Sequence, residues 1–593
     1  MSKNTSSSLF SNFTLDTSTR TDCSSFTPQQ KHTPSEKSYH PIIIREQVQV
    51  SSSPPHEESS PPQLHSFQFL ITHTQGFEQI VKSEIQAVFH EGVEKDWWYH
   101  GFEPSVNLFD YPTTAMARLL KTKNSKLQKG KLKTLTCVHG KIHSEEGFEM
   151  TMDVNFAELF HMPEFLFSHN ELLIFNLVGK SEYSREQFME HISQFVLHLN
   201  ALPSVDCVYS FISLVPNIPL DKESAFSKFK NEIPYRTQDE MAWKQSFELF
   251  QKLYTKKFPT QEVLFSENTK FRVTAIRKQS HQVRHSYSSV EIASEYGYGI
   301  GQHICKNMRV NLKKFDIDIL IYLDTDRAVT ALLLSPPFHY LHEYGLRHFS
   351  DDTRSSDGGG ESDSVENCTN HSQSASLQNF PELDLIYYYT KQDFRLSYGK
   401  STLKPQTSYL LWKTLLMQDA SLCEKAFSSK HPSICNVLDP FAGSGTLSLS
   451  ANYFFFNKSP KIQLFNLDCS SDETNVMNHN CKHHTNIHIL LSDSQSIPFK
   501  SQSIDVVLSD MPFGVLCGSH SRNAKIYPKV VKQLERIIKP DGILFLLTIE
   551  KTLLEAQLAA RNFWEIIDRK SVSLGELGRA MQATIYICKK KSK

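Results

Sequence analysis

The sequence lacks an excess of charge of either sign, a long apolar run and a paired-cysteine motif. Its 63 Lys and Arg residues nearly balance its 64 Asp and Glu residues, so any nucleic-acid site has to be a local basic patch. No apolar run approaches the roughly 18 residues of a membrane-spanning helix. The 11 cysteines are odd in number and form no CxxC motif, which argues against a disulfide framework or a zinc ribbon. We therefore expect a soluble cytoplasmic protein, with the nucleus as an alternative, and no metal site.

Two polar segments divide the chain. Residues 1–64 are rich in Ser, Thr and Pro, a composition that cannot bury enough apolar surface to offset chain entropy. Residues 350–385 contain the acidic stretch SDDTRSSDGGGESDSVEN, which is typical of a solvated insertion or linker. These segments predict a disordered N-terminal tail, a folded region at 65–345, an acidic insertion, and a second folded region at 390–593.

The first folded region mixes strands and helices. FQFLIT (67–72) predicts a strand, and apolar residues at 80, 85 and 88 follow it at helical spacing. FDIDILI (315–321) begins with the alternation of a half-buried strand, and RAVTALLLS after it supplies a hairpin partner. The α+β class is the prediction for this region.

The second folded region alternates strands and helices regularly. CNVLD, KIQLFNLD, IHILL and IDVVLSD are apolar runs of strand length, and YPKVVKQLERIIK is an amphipathic helix followed by the strand ILFLLTI. This alternation predicts a doubly wound, mostly parallel, Rossmann-like α/β sheet. Ligands of such sheets bind at the carboxyl ends of the strands.

A glycine loop, LDPFAGSGTL (438–447), closes the first strand of this region. Gly443 and Gly445 allow the backbone to turn sharply and approach a ligand. Asp468 closes the second strand, where its carboxylate can accept two ribose hydroxyls. Asp493 closes the third strand, where it can accept a hydrogen bond from an adenine amino group. These positions predict a nucleoside-containing cofactor.

Asp439, at the mouth of the first strand, indicates which cofactor this is. A dinucleotide site needs a third glycine, but Ser448 stands in its place, so the GxGxxG pattern is incomplete. An acid there would repel a pyrophosphate and suits a cation better. S-adenosylmethionine (SAM) carries an ammonium and a sulfonium. The alternative is that Asp439 only caps a turn, but acids at four successive strand ends favour the SAM site.

The turn DMPFG (510–514) closes the fourth strand and predicts the chemistry. The exocyclic amine of a base is a poor nucleophile because its lone pair is delocalised into the ring. Asp510 can accept one N–H and the carbonyl of Met511 or Pro512 another, which holds the nitrogen in line with the methyl donor. Phe513 can stack on the base, and Gly514 leaves room for it. The proton can pass to Asp510 or to water.

These motifs carry a resemblance. Asp439-Pro440-x-x-Gly443-x-Gly445-Thr446 with Asp510-x-Pro512-Phe513-Gly514 resembles the amino-methylating SAM-dependent methyltransferases. With GFE (76–78), FRVTAIR, FDIDILIYL, STLKPQTSYLL and ELGRAMQATIYIC, the chain resembles the eukaryotic THUMP-domain tRNA guanosine-N2 methyltransferases over most of its folded length. It departs from the family at Ala442, at Met511, and at 577–579, where Leu-Gly-Arg replaces Gly-Leu-Arg.

The resemblance implies a function. It implies SAM as the cofactor, formation of N2-methylguanosine in the tRNA acceptor stem near position 6, and a ferredoxin-like and THUMP region that grips the tRNA 3′ end. A small zinc-binding methyltransferase activator protein is the implied heterodimer partner. The predicted catalytic residues are Asp510, Pro512 and Phe513. The predicted cofactor-binding residues are Asp439, Phe441, Gly443, Ser444, Gly445, Thr446, Asp468, Cys469, Asp493 and Ser494.

Two basic groups in the first folded region predict RNA contacts. The first surrounds one strand, loop and helix, and the second follows shortly after it. Composition alone favours ordinary solvated faces, and the attached methyltransferase reverses that preference. The predicted RNA-binding residues are Arg272, Arg277, Lys278, Arg284, Arg309, Lys313, Lys314 and Arg579.

Two alternatives remain open from the sequence. A protein of the same architecture could methylate guanosine N2 in a spliceosomal small nuclear RNA. A catalytically inactive THUMP scaffold could retain the fold and bind RNA only, although the intact Asp510 and glycine loop argue against it.

Overall fold

The computed structural model describes most of the two predicted folded regions, and residues 62–593 form one compact unit. The described residues are 64–89, 155–180, 183–255, 257–278, 284–336, 395, 397, 399, 403–418, 434–456, 461–515, 519–561, 563–575 and 581–591, with three short strands inside 135–151. The predicted tail up to residue 63, the insertion at 350–385 and Arg579 lie outside the described residues.

The first folded region contains one eight-stranded mixed sheet and a separate three-stranded antiparallel sheet. Its strands are β1 (Ser66–His73), β2 (Leu135–Val138), β3 (Lys141–Ser144), β4 (Glu149–Thr151), β5 (Glu164–His169), β6 (Leu172–Val178), β7 (Val205–Val215), β8 (Lys270–Lys278), β9 (Arg309–Val310), β10 (Ile317–Asp324) and β11 (Arg327–Leu333). The large sheet has the order β5-β6-β1-β7-β11-β10-β8-β9. Its pairs are antiparallel except β10 with β8 and β8 with β9.

Helices pack on one face of the large sheet because their apolar residues recur at helical spacing. They are α1 (Glu78–Ala87), α2 (Phe156–Leu159), α3 (Arg185–Ala201), α4 (Lys222–Ser227), α5 (Glu240–Leu253), α6 (Gln261–Leu264) and α7 (Ser289–His303). Capping boxes at Ser184 and Ser288 fix the starts of α3 and α7. This mixture confirms the α+β prediction for the region.

The second folded region is a seven-stranded sheet of order β14-β13-β12-β15-β16-β18-β17. Its strands are β12 (Cys435–Asp439), β13 (Ile462–Asp468), β14 (Ile487–Leu491), β15 (Ile504–Asp510), β16 (Ile538–Thr548), β17 (Trp564–Leu574) and β18 (Met581–Lys590). The first five strands are parallel, and β18 runs antiparallel to both β16 and β17. The Rossmann-like, mostly parallel sheet predicted from the sequence is confirmed.

Helices cover both faces of this sheet. They are α8 (Pro405–Gln418), α9 (Thr446–Ala451), α10 (Ser471–Cys481), α11 (His520–Ile537) and α12 (Lys551–Ala560). Because successive strand residues point to opposite faces, Val437 packs with α8, α9 and α10, whereas Leu438 packs with α11 and α12. In the described part of the chain no helix is long and apolar enough to cross a bilayer.

A buried carboxylate joins the two folded regions. Glu84 of α1 is fully buried and accepts hydrogen bonds from the hydroxyls of Ser204 and Tyr409, the latter on α8. Gln406 of α8 also donates to the Val205 carbonyl, 3.1 Å away. The first helix of the N-terminal region is therefore tied directly to the helix that precedes the glycine loop.

Candidate active site

The glycine loop leaves the carboxyl end of β12 and leads into α9. Gly443 and Gly445 have φ angles of 51° and 80°, a left-handed conformation that favours glycine. A Cβ atom on Gly445 would lie 2.8 Å from Cγ of Met477 on α10, so a larger residue would also clash there. The two predicted glycines are therefore required by backbone conformation, and Gly445 also by the close packing of α10.

Asp439 is a buried carboxylate at the centre of this edge. Its Oδ1 accepts the Phe441 amide at 3.1 Å and the Ser509 hydroxyl at 2.8 Å, and neither hydrogen bond reaches Oδ2. Burial raises the pKa of Asp439 to about 7, and the negative charge of Asp468 adds to that rise although the two hydrogen bonds lower it. A cation beside Asp439 would stabilise the ionised carboxylate and lower its pKa.

Asp468 is the last residue of β13, and Asp493 follows the end of β14, as the sequence predicts. Asp468 accepts the Gly443 amide at 3.1 Å and the Ser470 amide at 2.8 Å, so it braces the glycine loop and keeps lone pairs for ribose hydroxyls. Asp493 is exposed and accepts the amide of Gln495 at 2.8 Å. Each is placed to accept further hydrogen bonds.

The remaining residues predicted to bind the cofactor differ in their exposure to solvent. Cys469 is exposed and Phe441 is half-buried against the α11 side of the sheet. Ser494 is buried, and its hydroxyl donates to the Pro440 carbonyl, so it shapes the loop. Ser444 and Thr446 are buried too, with their hydroxyl oxygens 3.0 Å apart. The buried side chains of Ser444, Thr446 and Ser494 therefore stabilise the glycine loop.

Two residues that hold the glycine loop were missed by the sequence analysis. Arg395 is buried, and its Nη1 donates to the Thr446 hydroxyl at 3.1 Å and to the Leu403 carbonyl at 2.8 Å. Asn480 of α10 donates to the Ser444 carbonyl at 2.9 Å. Their partners are distant in sequence, so no local pattern could have indicated them.

Asp510 ends β15 beside Asp439. Its Oδ1 is buried and has no hydrogen-bond partner among the described residues, which is costly for a carboxylate. Burial raises the pKa of Asp510 to about 8, and the charge of Asp439 adds to the shift. A buried acceptor without an internal partner, at the ligand-binding edge of the sheet, indicates a group that bonds to a substrate.

The turn after Asp510 is held from α11. The Pro512 carbonyl accepts the side-chain amide of Asn523 at 2.8 Å and the hydroxyl of Tyr527 at 3.0 Å. Tyr527 also contacts the Thr548 hydroxyl at 2.9 Å, and Asn523 donates to Glu550 at 3.3 Å. The sequence predicts that the carbonyl of Met511 or Pro512 accepts a substrate N–H. Because two internal donors already bond to the Pro512 carbonyl, the Met511 carbonyl is the better candidate.

The structure corrects the role predicted for Gly514. Its φ angle is 73°, and a Cβ atom there would lie 2.8 Å from the Ser519 carbonyl carbon and 2.9 Å from Nδ2 of Asn523. The start of α11 fills the space that was expected to admit a base. Phe513 is half-buried and packs against the α8 side of the sheet.

Three of the predicted RNA-binding residues have partners inside the protein. Arg272 pairs with Asp318 of β10 and lies 3.7 Å from the Phe315 ring centroid. Lys278 pairs with the buried Glu171. The third, Arg277, donates to two backbone carbonyls in the segment before α7. These acids and carbonyls come from distant segments, which the sequence alone does not bring together.

Four other predicted RNA-binding residues, which the structure describes, are exposed. Arg309 pairs with Glu267 at 2.9 Å, a surface ion pair of little energetic weight. Arg284, Lys313 and Lys314 are exposed as well. No group of acids, histidines and cysteines within the described residues could hold a metal ion.

Parts of this chain are similar to known proteins. Residues 434–579 match the UPF0020 family, described as RMKL-like, methyltransferase domain. The chain is 20% identical over 337 residues to mouse (Mus musculus) tRNA (guanine(6)-N(2))-methyltransferase THUMP3, covering 54% of this chain and 51% of that protein. It is 32% identical to the human (Homo sapiens) protein of that name over 97 residues, which is 16% of this chain and 18% of the human protein.

Among solved structures, TrmN from Thermus thermophilus matches 89% of this chain and 100% of its own, with 13% identity and a TM-score of 0.40. The chain spans about half the length of the first curated relatives that it matches. The match over residues 434–579 confirms the predicted methyltransferase domain, and the curated relatives confirm the resemblance to the THUMP-domain tRNA methyltransferases.

Proposed function

We propose that this protein transfers a methyl group from SAM to the exocyclic N2 amine of a guanosine in tRNA. The observation that carries the proposal is the buried Oδ1 of Asp510, an acceptor without an internal partner at the ligand-binding edge of a methyltransferase sheet. The name of the mouse and human relatives supports the guanine N2 atom and tRNA as the target.

The residues of the site fit SAM. Asp439 offers a buried carboxylate whose raised pKa a cation would lower, Asp468 keeps acceptor capacity, and the glycine loop lets the backbone approach a ligand. When bound, SAM supplies an activated methyl group on a positively charged sulfur. Asp439, Asp468 and the loop at Gly443 and Gly445 would hold it, and Asp493 would contact its adenine.

The substrate amine is oriented by Asp510 and the backbone next to it. Asp510 accepts one N–H, and the Met511 carbonyl accepts the other, because the Pro512 carbonyl already has two donors. These two bonds direct the nitrogen lone pair, and fixed orientation of this kind is a large catalytic contribution. Phe513 offers its ring to the base.

Proton balance points to Asp510. Transfer of the methyl group that SAM would supply would leave the amine nitrogen with one proton to lose. In its ionised form, Asp510 is a stronger proton acceptor than an exposed carboxylate, because burial raises its pKa to about 8. We assign the proton to Asp510, and release to solvent follows.

The finer features of the function are part of the same proposal. The relatives' name supports guanine 6 as the target, and we propose that this target lies in the acceptor stem, as the family resemblance implies. The N-terminal ferredoxin-like and THUMP region would hold the tRNA, and Glu84 would fix its position relative to the catalytic domain. A zinc-binding activator protein is the proposed partner, and the cytoplasm is the proposed location.

An Asp510→Ala variant tests the proposal. Transfer of labelled methyl from SAM to transcribed tRNA is followed, and nucleoside mass spectrometry identifies the product. We expect N2-methylguanosine with the unchanged chain, a loss of at least 100-fold in turnover with Asp510→Ala, and similar SAM affinity by calorimetry. Asp505→Ala, at the other end of β15 and paired with Lys539, is the matched control and should keep most of its activity.

Other outcomes would replace the proposal. Methylation of a small nuclear RNA in preference to tRNA would change the substrate. Absence of SAM binding, even with an activator protein, would favour an RNA-binding scaffold. Full turnover by Asp510→Ala would reject the assigned mechanism.

A further inference from the structure

Four basic side chains form a stripe along α11, the helix that follows the catalytic turn. We define the basic stripe as Arg522, Lys525, Lys529 and Lys532, all of them exposed. Their spacings of three, four and three residues place them on one side of an α-helix. Residues of α11 that pack in the core, such as Tyr527 and Leu534, point the other way. The stripe therefore lies on the solvent side of α11.

The charge of the stripe is not balanced locally. None of its four side chains takes part in a hydrogen bond or an ion pair with the residues that the structure describes. Residues 520–534 contain no acid, and Glu535, three residues after Lys532, is paired with Arg561. The next cation on the helix behaves differently, because Arg536 donates to the carbonyls of Ile497 and Phe499.

This arrangement works against the stability of the helix. The first turn of α11 has no acid and carries Arg522, although a helix N-terminus favours negative charge. Neighbours along the stripe are three or four residues apart, where like charges repel by about 0.2–0.5 kcal/mol per pair. Helix formation alone does not explain the stripe, which points to an anionic partner.

The stripe begins beside the catalytic turn. Asn523, next to Arg522 in the chain, donates to the Pro512 carbonyl. The stripe then runs away from the turn for about 15 Å at 1.5 Å per residue. It lies on the α11 side of the catalytic sheet. Helix α8, which bonds to the N-terminal region, and α1, which belongs to that region, lie on the other side.

We propose that the basic stripe binds the phosphate backbone of the RNA whose base enters the active site. This inference rests on the proposed function. A duplex presents several phosphates over such a length, and lysine and arginine side chains are the usual partners of phosphate. RNA is then held on both sides of the catalytic turn, by the N-terminal region and by α11.

A triple variant, Lys525→Gln, Lys529→Gln and Lys532→Gln, tests the stripe in the 593-residue chain. The matched control is Lys482→Gln, Lys500→Gln and Lys551→Gln, three exposed lysines of the same domain outside the stripe. Binding of a transcribed tRNA is measured by fluorescence anisotropy from 50 to 300 mM salt. We expect the stripe variant to bind about 10-fold more weakly at low salt, with a slope of log affinity against log salt that is smaller by about 2. The control should change by less than 2-fold.

Turnover gives a second readout. The stripe variant should show a raised KM for tRNA, an unchanged kcat at saturating tRNA, and an unchanged Kd for SAM. Equal affinities and slopes for the stripe and control variants would overturn the inference. So would loss of binding to vesicles of anionic lipid with tRNA binding intact, because that result assigns the stripe to a membrane surface. Failure of the proposed function is distinguishable, since the unchanged chain would then form no N2-methylguanosine in tRNA.

Discussion

Removal of the Tyr527 hydroxyl tests whether the catalytic turn is held from α11. This hydroxyl donates to the Pro512 carbonyl at 3.0 Å and contacts the Thr548 hydroxyl at 2.9 Å, in a fully buried position. Each hydrogen bond contributes about 0.5–1.5 kcal/mol, so Tyr527→Phe should cost roughly 1–3 kcal/mol. If most of that loss falls on the geometry of the turn, kcat decreases by about 5- to 100-fold.

The control for this variant is Tyr586→Phe. Tyr586 is buried in the same hydrophobic core cluster as Tyr527, but its hydroxyl donates to Glu555 at 3.1 Å, outside the catalytic turn. Both variants are assayed for kcat with tRNA, for SAM affinity by calorimetry, and for thermal unfolding. Tyr527→Phe should lower kcat and leave SAM affinity unchanged, whereas Tyr586→Phe should affect stability only. Similar kcat values for the two variants would refute the assignment of Tyr527 as a positioning residue.

The remaining predictions concern buried carboxylates. Because the folded pKa values of Asp439 and Asp510 are raised to about 7 and about 8, the cofactor-free protein should lose stability as pH rises from about 4 to 8. Because a bound cation favours the ionised form of Asp439, the affinity for SAM should fall by up to about tenfold for each pH unit below pH 7, and a flat calorimetric profile would contradict this. Tyr409→Phe should destabilise the protein by about 1–3 kcal/mol in thermal unfolding, because it removes a donor from buried Glu84. The control variant Tyr296→Phe loses only a hydrogen bond to the neutral Thr330 and should destabilise the protein less. Equal destabilisation by the two variants would contradict the proposal that Glu84 links the two folded regions.

The sequence predicted the catalytic domain well because its signals are local. In a parallel sheet every strand carboxyl end lies at one edge, so acids that end successive apolar runs must gather there. Asp439, Asp468 and Asp510 do so. The final strand order, with β18 between β16 and β17, was not predicted, since no short pattern reports which strands pair.

The N-terminal region was harder to predict because its partners are distant in sequence. Arg272 and Lys278 look like free cations along the chain, yet Asp318 and Glu171 neutralise them. The α11 residues Asn523 and Tyr527 were also missed. Their signal was present, because they are polar residues four apart on the buried side of an amphipathic helix, and such groups require a partner.

The carboxylates at the strand ends also constrain what the site can bind. The charge of Asp439 raises the cost of ionising Asp510, and Oδ1 of Asp510 has no partner among the described residues. Such a cluster destabilises the fold near neutral pH unless a ligand brings positive charge and hydrogen-bond donors. A dinucleotide pyrophosphate brings neither, since it would add negative charge beside Asp439. A sulfonium nucleoside next to the amino group of a base brings both, so the electrostatics of the site favour amine methylation independently of any motif.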